Sequence, residues 1–394
     1  MDITSNYLNK PFESPFILAS APPTANADMI SRAFEAGWAG AVIKTLIKEP
    51  VKNLGNRFAS NKIRNQIIAF ENIELLSEVP PDKWFEDIVS LKKRFPHKVI
   101  IGSIMGDAKN MDQWKDLALG CQQAGVDFIE LNFSCPNGYP EKGKGAAIGQ
   151  NADYSFMITK TLKETTGLSA PLIPKLTPAV ADISSIGCAV AKAGADGLTA
   201  INTFPGIMGF DLATLKPKAS IKGYSTSGGY SGPGLKPIGL KCVSDLVKDP
   251  GLPIMACGGI SSGHDAIEYI LLGAPIVQIC TEVMINGYSV VAKMKKELSE
   301  FMKLHSFSSI SDFVGLGNKC IRKFSKLDQD CVVKASLITD KCIGCLKCHV
   351  SCRDSGYQAI NIVENKPRID SDKCQGCSLC YQVCPNGSII MMEG

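Results

Sequence analysis

Eight short apolar runs alternate with amphipathic segments along the first 305 residues of the chain. The runs are apolar at nearly every position rather than at every second one, which is typical of parallel strands buried on both faces. We therefore predict eight strands, at 16–20, 41–45, 99–104, 128–133, 171–176, 197–202, 253–259 and 275–280.

A segment with helical spacing of its apolar residues follows each predicted strand, and small residues mark the return to the next strand. These junctions read "AGWAG", "AGVDF", "AGADG" and "LGAP". Eight strands that are each followed by a helix predict an α/β fold of the (β/α)8 TIM-barrel type. A doubly wound open sheet fits less well, because no GxGxxG motif follows the first strand.

Polar side chains lie at the carboxyl ends of several predicted strands, where barrels of this type carry their active sites. The two longest connections, at about 46–80 and 203–237, are on the same face, and loops this long usually form a site or a lid. The strand-end residues are Ser20, Lys44, Thr45, Asn132, Lys175, Thr177, Asn202, Thr203, Gly258 and Gly259.

Composition narrows the class of protein. Of the 394 residues 45% are hydrophobic and 20% are charged, and 42 basic against 38 acidic side chains give a net charge of +4. That bias is too weak to indicate a nucleic-acid partner. The amino terminus has no signal-peptide core, and no stretch approaches the roughly 20 apolar residues that span a membrane. We expect a cytoplasmic enzyme.

Eight of the sixteen cysteines form two CxxCxxCxxxC runs near the carboxyl terminus. In two-cluster ferredoxins the first three cysteines of a run ligate one [4Fe–4S] cluster, and the fourth ligates the other cluster. Zinc is the alternative for paired CxxC motifs, but the duplicated run without a histidine pattern favours clusters. The predicted ligand sets are Cys342, Cys345, Cys348 and Cys384, and Cys374, Cys377, Cys380 and Cys352.

These clusters imply three parts of the chain: a barrel over 1–305, a linker over 306–335 and a ferredoxin-like domain over 336–394. Because such clusters carry single electrons, the barrel needs a redox centre of its own. A phosphorylated flavin fits, since glycine-rich "ACGGIS" and the following "QICTEV" end strands seven and eight, where barrels bind phosphate. Lys44 and Lys175 could stabilise negative charge on a reduced ring. Taken singly, each feature also has an ordinary structural reading.

The stretch "FIELNFSCPNGYPEKGKG" places a thiol, Cys135, where the fourth strand opens into a glycine-rich loop. The thiol could be a metal ligand, a catalytic acid or a small apolar filler. The metal-binding cysteines form a complete set elsewhere, and the position belongs to the active face. A thiol with a pKa near 8.5 is protonated at neutral pH and can still ionise, so it can act as a catalytic acid.

A family resemblance spans nearly the whole chain. It rests on "LASAPPTANADMISRAFEAGWAGAVIKT", "NIELLSE", "ELNFSCPNG", "KLTPAVADI", "GLTAINTFPGIMGFDL", "GGYSGPGLKPI", "ACGGI" and "CIGCLKCHVSCRDSGYQAI". In these motifs the chain resembles the flavin barrel and carboxyl-terminal ferredoxin domain of dihydropyrimidine dehydrogenases, and more distantly the class 1 dihydroorotate dehydrogenases.

The resemblance implies reversible reduction of the 5,6 double bond of uracil or thymine, with Cys135 as the catalytic acid or base. It implies an FMN site at Ala19, Ser20, Lys44, Asn132, Lys175, Gly232, Gly258, Gly259 and Thr281. It also implies that the pyrimidine ring contacts Asn72, Glu74, Asn132, Asn202 and Thr203.

Two features leave the function partly open. Asn137 stands where dihydropyrimidine dehydrogenases usually have histidine, so another cyclic, amide-containing ring remains an alternative substrate, as does a dihydroorotate dehydrogenase-like activity. No segment resembles the family's FAD- and nicotinamide-binding portion, so the resemblance implies a separate FAD- and NAD(P)-binding subunit and a homodimer within a heterotetramer. An electron-relay subunit without its own substrate is the second class of function.

Overall fold

The computed structural model of the chain describes residues 1–133, 146–355 and 357–393. They divide into two units, Met1–Ile321 and Arg322–Gly394. Among the described residues, no helix is both long enough and apolar enough to cross a bilayer.

Eight parallel strands close into a barrel in the first unit, as the apolar runs predict. The ring is closed where the last strand pairs with the first, with Val277 opposite Phe16 and Ile279 opposite Leu18. The barrel strands are β3 (Phe16–Leu18), β4 (Gly40–Val42), β7 (Val99–Ile104), β8 (Phe128–Asn132), β9 (Leu172–Leu176), β10 (Leu198–Ala200), β15 (Ile254–Cys257) and β16 (Ile276–Ile279).

Helices follow the barrel strands. Several begin at a side chain that accepts a hydrogen bond from the first turn, such as Asn26, Asn151, Asp182 and Ser262, which is the usual N-cap chemistry. The helices are α1 (Ala27–Glu35), α2 (Pro81–Arg94), α3 (Met111–Gln123), α4 (Ala146–Gly149), α5 (Ala152–Lys163), α6 (Ile183–Lys192), α7 (Lys236–Lys248), α8 (Gly263–Leu272), α9 (Thr281–Asn286) and α10 (Val290–Leu304).

A hairpin that the sequence did not predict closes the amino-terminal end of the barrel. It consists of β1 (Ser5–Tyr7) and β2 (Lys10–Phe12). The Tyr7 hydroxyl donates to the carbonyl of Pro253 over 3.1 Å, and the Phe12 ring stacks on Phe128. Both aromatic rings join an apolar cluster inside the barrel, so this end has a dry core.

The two long connections meet in a second sheet, which we call the roof sheet. It contains β5 (Phe58–Ile63) and β6 (Gln66–Asn72) from the first connection, and β11 (Phe204–Gly206) and β14 (Gly228–Ser231) from the second. Its order is β11-β14-β6-β5, and all neighbours are antiparallel. A two-stranded excursion, β12 (Phe210–Asp211) and β13 (Lys216–Pro217), extends from the second connection.

The segment after α10 packs on the barrel unit up to Ile321, whereas the sequence placed a linker over 306–335. Ile310 and Phe313 are buried, and the ring of Phe307 stacks on Phe313 with 5.2 Å between centroids. Further along, the hydroxyl of Ser244 on α7 donates to the side-chain oxygen of Asn318 over 2.7 Å. The division between the two units therefore falls at Ile321 and Arg322.

The second unit consists of two small antiparallel pairs and two short helices. Its strands are β17 (Val333–Leu337) paired with β20 (Ile389–Glu393), and β18 (Ile360–Val363) paired with β19 (Lys366–Ile369). Its helices are α11 (Lys347–Asp354) and α12 (Leu379–Gln382). The core of the unit contains few apolar residues and several of the cysteines, which is the composition of a small domain that depends on metal groups.

Candidate functional site

A cleft opens at the carboxyl ends of the barrel strands, beneath the roof sheet. Its empty volume is about 1090 Å³, including space open to solvent, enough for a cofactor and a small ring. The cleft is lined by all the barrel residues with an expected binding role: Ala19, Ser20, Lys44, Asn72, Glu74, Asn132, Lys175, Asn202, Thr203, Gly232, Gly258, Gly259 and Thr281.

The predicted catalytic thiol, Cys135, lies outside the described residues, in the segment 134–145. The strand that leads to it, β8, ends at Asn132, whose side chain lines the cleft. The role of Cys135 therefore stays a prediction from the sequence.

Thr45 connects the polar side chains on one wall of the cleft. Its hydroxyl accepts a hydrogen bond from the side-chain amide of Asn132 over 2.9 Å. It also shares hydrogen bonds with the hydroxyls of Ser20, at 3.0 Å, and Ser103, at 2.8 Å. This chain of contacts fixes the rotamer of Asn132 and so the direction in which its amide faces the cleft.

A cation–carboxylate group lies where the first long connection meets the cleft. One carboxylate oxygen of Glu74 is 3.3 Å from Nζ of Lys44, and the other is 3.7 Å from Nε of Arg57. The backbone N–H of Glu74 donates to the side-chain oxygen of Asn72 over 2.6 Å. Lys44 and Glu74 are buried, so their charges compensate each other in a poorly solvated place.

Four polar side chains lie inside the barrel, and we call them the core quartet: Glu130, Lys175, Thr199 and Gln278. Nζ of Lys175 donates to the side-chain oxygen of Gln278 over 3.0 Å and lies 3.4 Å from Oε1 of Glu130. Oε2 of Glu130 accepts from the Thr199 hydroxyl at 3.0 Å and from Nε2 of Gln278 at 2.9 Å. Lys175 and Gln278 line the cleft, and the other two support them from below.

Burial and charge act in opposite directions on the ionisable groups here. Burial by itself would lower the pKa of Lys175, but the Glu130 carboxylate outweighs it and holds the pKa above its ordinary value. Burial raises the pKa of the Cys257 thiol, and it raises the pKa of Cys280 to about 12. Lys175 is therefore charged at neutral pH, and both thiols remain protonated.

The far end of the cleft is a backbone cradle at the ends of β14 and β15. Gly232, Gly258 and Gly259 have φ values of +87°, +123° and +72°, which favour glycine. A Cβ on Gly259 would overlap the backbone nitrogen of Lys236. The Tyr269 hydroxyl holds this turn from beneath by donating to the carbonyl of Gly258 over 2.6 Å.

The eight clustered cysteines line two separate cavities of the second unit. A cavity of about 320 Å³ is lined by Cys342, Cys345, Cys348 and Cys384, and one of about 360 Å³ by Cys352, Cys374, Cys377 and Cys380. These are the two groups that the spacing predicts. Among the described residues, no three side chains of His, Cys, Asp or Glu converge closely enough to hold a single metal ion.

The backbone around each cavity supplies donors to the sulfur atoms. The N–H of Ala359 donates to Sγ of Cys352 over 3.3 Å, and the N–H of Ser388 donates to Sγ of Cys384 over 3.2 Å. Burial would raise the pKa of Cys384, but the amides around Ser388 outweigh it and hold the pKa below its ordinary value. Amide donors of this kind stabilise thiolate ligands and set cluster potentials.

Comparison with known proteins follows the division into two units. The family model described as dihydroorotate dehydrogenase matches residues 3–302, and the model of a 4Fe-4S dicluster domain matches residues 335–392. The NAD-dependent dihydropyrimidine dehydrogenase subunit PreA of Escherichia coli K12 is 36% identical over 398 residues, which cover 100% of this chain and 96% of that protein. The chain belongs to the dihydropyrimidine dehydrogenase family.

A second member of the dihydropyrimidine dehydrogenase family shows the same likeness. The chloroplastic dihydropyrimidine dehydrogenase (NADP(+)) of Arabidopsis thaliana is 36% identical over 329 residues, covering 80% of this chain and 76% of that protein. Among solved structures, that of DHODH in complex with ferulenol from Eimeria tenella has a TM-score of 0.63 at 22% identity. It covers 80% of this chain and 88% of that one, and it supports the barrel fold alone.

As a member of the dihydropyrimidine dehydrogenase family, the chain is a flavin- and iron–sulfur-dependent oxidoreductase that uses FMN and two [4Fe–4S] clusters. The residues present fit both kinds of group. The cleft combines a glycine cradle with buried lysines, which suits a phosphorylated, electron-accepting ring. Each cavity of the second unit is lined by four cysteines, the donor set of a [4Fe–4S] cluster.

The sequence alone did not single out three of the four residues of the core quartet. Glu130, Thr199 and Gln278 lie inside apolar runs that predict strands, and none was a candidate site residue. Glu130 is two residues before Asn132, so the strand period of two puts both on the same face. A lone charged residue inside a buried strand was the available signal, because such a charge needs a partner.

Proposed function

We propose that the chain catalyses the reversible reduction of the 5,6 double bond of uracil or thymine to the 5,6-dihydropyrimidine. The observation that carries the proposal is the convergence of three carboxamides and two buried lysines on one cleft. Asn72, Asn132 and Asn202 come from three different parts of the chain and line the same space as Lys44 and Lys175. A flat, uncharged ring with alternating carbonyl and N–H groups complements such a wall.

The carboxamides and Thr203 are the ring-binding groups in this proposal. Each asparagine offers an acceptor oxygen and two N–H donors, so a pair of them can match both edges of a pyrimidine. Asn132 is preset for this role by its hydrogen bond to Thr45. Glu74 completes the set beside Asn72, where its carboxylate can accept from a ring N–H.

The same cleft holds the flavin in this proposal, through Ala19, Ser20, Lys44, Asn132, Lys175, Gly232, Gly258, Gly259 and Thr281. When it is bound there, FMN supplies a hydride to the ring carbon C6 or accepts one from it. The backbone N–H groups of the cradle at Gly258 and Gly259 would hold the phosphate. Lys175 lies where its charge stabilises an electron-rich ring.

Cys135 donates the proton in the proposed reaction. Its Sγ–H bond breaks as the new C5–H bond forms, and the resulting thiolate regains a proton from solvent. A thiol suits this step because its ordinary pKa near 8.5 leaves it protonated at neutral pH and still able to ionise. In the dihydropyrimidine-oxidising direction the thiolate is the base.

Electrons enter through the second unit in this proposal. The clusters would be held by Cys342, Cys345, Cys348 and Cys384 at one site and by Cys352, Cys374, Cys377 and Cys380 at the other. We infer that a separate FAD- and NAD(P)-binding subunit supplies the electrons, in a heterotetramer built on a homodimer of this chain. The Escherichia coli relative is named as a subunit of its enzyme, and this supports the existence of a partner subunit.

Anaerobic titration of the reduced flavin tests the reaction. The protein is reduced with dithionite and then mixed with uracil, thymine or orotate while the flavin absorbance is followed. We expect uracil or thymine to reoxidise the flavin, and Cys135→Ala to abolish this while leaving reoxidation by ferricyanide intact. Reoxidation by orotate alone would indicate a dihydroorotate dehydrogenase-like activity. No reoxidation by any ring would indicate an electron-relay subunit.

The partner subunit is tested separately. We expect NADH and NADPH to leave the flavin of the purified chain oxidised, and the added FAD-containing subunit to couple either nucleotide to uracil reduction. Full-rate oxidation of NAD(P)H by the chain alone with uracil would contradict this part of the proposal. Sedimentation of the mixed proteins then gives the stoichiometry.

A further inference from the structure

Lys175 reaches the cleft from inside the barrel, where little water is present. Its exposed fraction is 3%, and those of Glu130 and Gln278 beneath it are 0% and 1%. A lysine buried to this degree loses its proton near neutral pH unless an anion compensates the charge. The state of Lys175 therefore depends on what faces it.

Glu130 is the anion that faces Lys175 among the described residues. Its carboxylate is 3.4 Å from Nζ, and Thr199 and Gln278 hold it in place with hydrogen bonds. Of the described residues, the other titratable groups that act on Lys175 are the thiols of Cys257, on β15, and Cys280, directly after β16. Burial keeps both thiols protonated at neutral pH. A neutral side chain at position 130 would therefore leave the positive charge of Lys175 uncompensated.

The geometry also orients the ammonium group. A lysine has three N–H donors. One donates to Gln278, and a second faces Glu130, which lies below the cleft. Because Lys175 itself lines the cleft, its third N–H can donate to a group bound there.

We propose that Glu130 is a positioning residue for the flavin chemistry: acting through Lys175 and assisted by Gln278, it keeps a fixed positive charge beside the flavin in both oxidation states. Flavin reduction in this protein then takes up no proton at Lys175. This inference rests on the flavin site of the proposed function but not on which ring is the substrate.

The proposal has a measurable consequence for the dependence of the flavin potential on pH. In Glu130→Gln the buried lysine is neutral beside the oxidised flavin and takes up a proton when the ring becomes negatively charged. One additional proton per two electrons changes the reduction equilibrium tenfold per pH unit, which corresponds to about 30 mV per pH unit for a two-electron couple.

Redox titration of the flavin with mediator dyes, from about pH 6 to about pH 9, is the experiment. We expect Glu130→Gln to steepen the dependence by about 30 mV per pH unit. The double variant Glu130→Gln/Lys175→Met should return to the wild-type slope, because it has no group left to take up the proton. Thr199→Val is the matched control, since it removes a hydrogen bond to Glu130 but keeps both charges, and it should leave the slope unchanged.

An unchanged slope in Glu130→Gln would overturn the proposal. So would an equal steepening in Thr199→Val, because a loss of packing would then explain both. The titration uses no ring substrate, so it succeeds or fails independently of the uracil experiment.

Thermal unfolding of the flavin-free protein covers the case in which Glu130→Gln no longer binds flavin. Removing one member of a buried ion pair is much more destabilising than replacing both. We expect Glu130→Gln to have a lower Tm than Glu130→Gln/Lys175→Met. A double variant no more stable than the single one would show that Glu130 does not act through the charge of Lys175.

Discussion

At the scale of single residues, Glu74 decides the charge at the edge of the cleft. It compensates both Lys44 and Arg57, so neither of these two described cations is left uncompensated for an anionic ring substituent. Glu74→Gln keeps the shape and removes the negative charge. We expect the affinity for orotate relative to uracil to rise about tenfold or more, because a charge a few Å away in a partly buried site is worth roughly 1–4 kcal/mol. Flavin difference spectra give both Kd values.

Glu86→Gln, on α2, is the control for this prediction. It also removes one negative charge, but from an exposed side chain on the surface of the barrel unit. It should leave both Kd values as they are. An unchanged ratio in Glu74→Gln would mean that the pocket does not select its ring by this charge.

The sequence locates polar groups at strand ends well and polar groups inside strands poorly. Lys44, Asn132 and Lys175 were visible because each ends an apolar run, and the barrel rule turns that position into a place on the active face. Glu130 was not singled out, because it lies inside its run, and an apolar run with one acidic residue still predicts a strand. Its compensation by Lys175 joins two strands and is present only after folding.

At the scale of elements, the turn after β15 requires glycine at position 259. Gly259 combines a φ of +72° with a close approach to the backbone of Lys236. We expect Gly259→Ala to shift the cradle and to weaken FMN binding at least tenfold, since neither backbone can yield without moving the turn. Fluorescence titration of the flavin-free protein with FMN measures it.

Gly125→Ala is the matched control for the cradle. Gly125 has a φ of +90°, but a Cβ there meets nothing within 4 Å. It carries the same backbone strain without the overlap, so it should lower stability by about 1 kcal/mol or so and leave the Kd for FMN unchanged. Equal loss of FMN in both variants would show that general destabilisation, not the cradle, is responsible.

Each CxxCxxCxxxC run contributes cysteines to both cavities of the second unit, and a second prediction at the scale of elements follows from this. Cys348 and Cys352 are on the same helix, α11, yet they line different cavities. We expect Cys384→Ala to remove about half of the iron, and Cys384→Ala/Cys342→Ala to remove no more. Cys384→Ala/Cys374→Ala should remove nearly all of it.

Iron analysis and the EPR spectrum of the reduced protein distinguish these outcomes. A further loss of iron in Cys384→Ala/Cys342→Ala would show that these two cysteines serve different clusters. Each variant would be compared with Cys331→Ala, because Cys331 is exposed and lines neither cavity.

Elements with a strong local pattern were predictable, and elements defined by distant partners were not. The run "VIIGSI" reads as a buried strand by itself and forms β7. The stretches "FASNKI" and "QIIAFEN" are half polar. They pair with each other, and the second one also pairs with β14, which brings Asn72 opposite Gly229. No local pattern encodes a partner so far along the chain, so the roof sheet appeared only as two long loops.

At the scale of the whole molecule, the boundary between the units can be tested by truncation. A chain ending at Ile321 keeps Ile310 and Phe313 in the barrel core, whereas one ending at residue 305 exposes the surface beneath them. We expect the first to bind FMN and to be reoxidised by uracil after reduction with dithionite. Removing two buried apolar side chains costs about 3–6 kcal/mol, so the second should have a markedly lower Tm.

Circular dichroism melts and bound flavin compare the two truncated chains. Equal stability would mean that residues 306–321 are a linker, as the sequence suggested. Loss of uracil-driven reoxidation in the chain ending at Ile321 would mean that the second unit contributes to the ring chemistry and not only to electron supply.

The closure of the barrel has a consequence for how the protein is made. The ring closes through the pairing of β3 with β16, so a ribosome has synthesised about seven-tenths of the chain before the last wall of the cleft exists. Until then, the incomplete ring is an open sheet whose two edge strands are each unpaired on one side, and such edges are templates for association with other chains. We expect flavin to bind late during biosynthesis, and flavin shortage to lower the yield of soluble protein rather than the activity of each molecule.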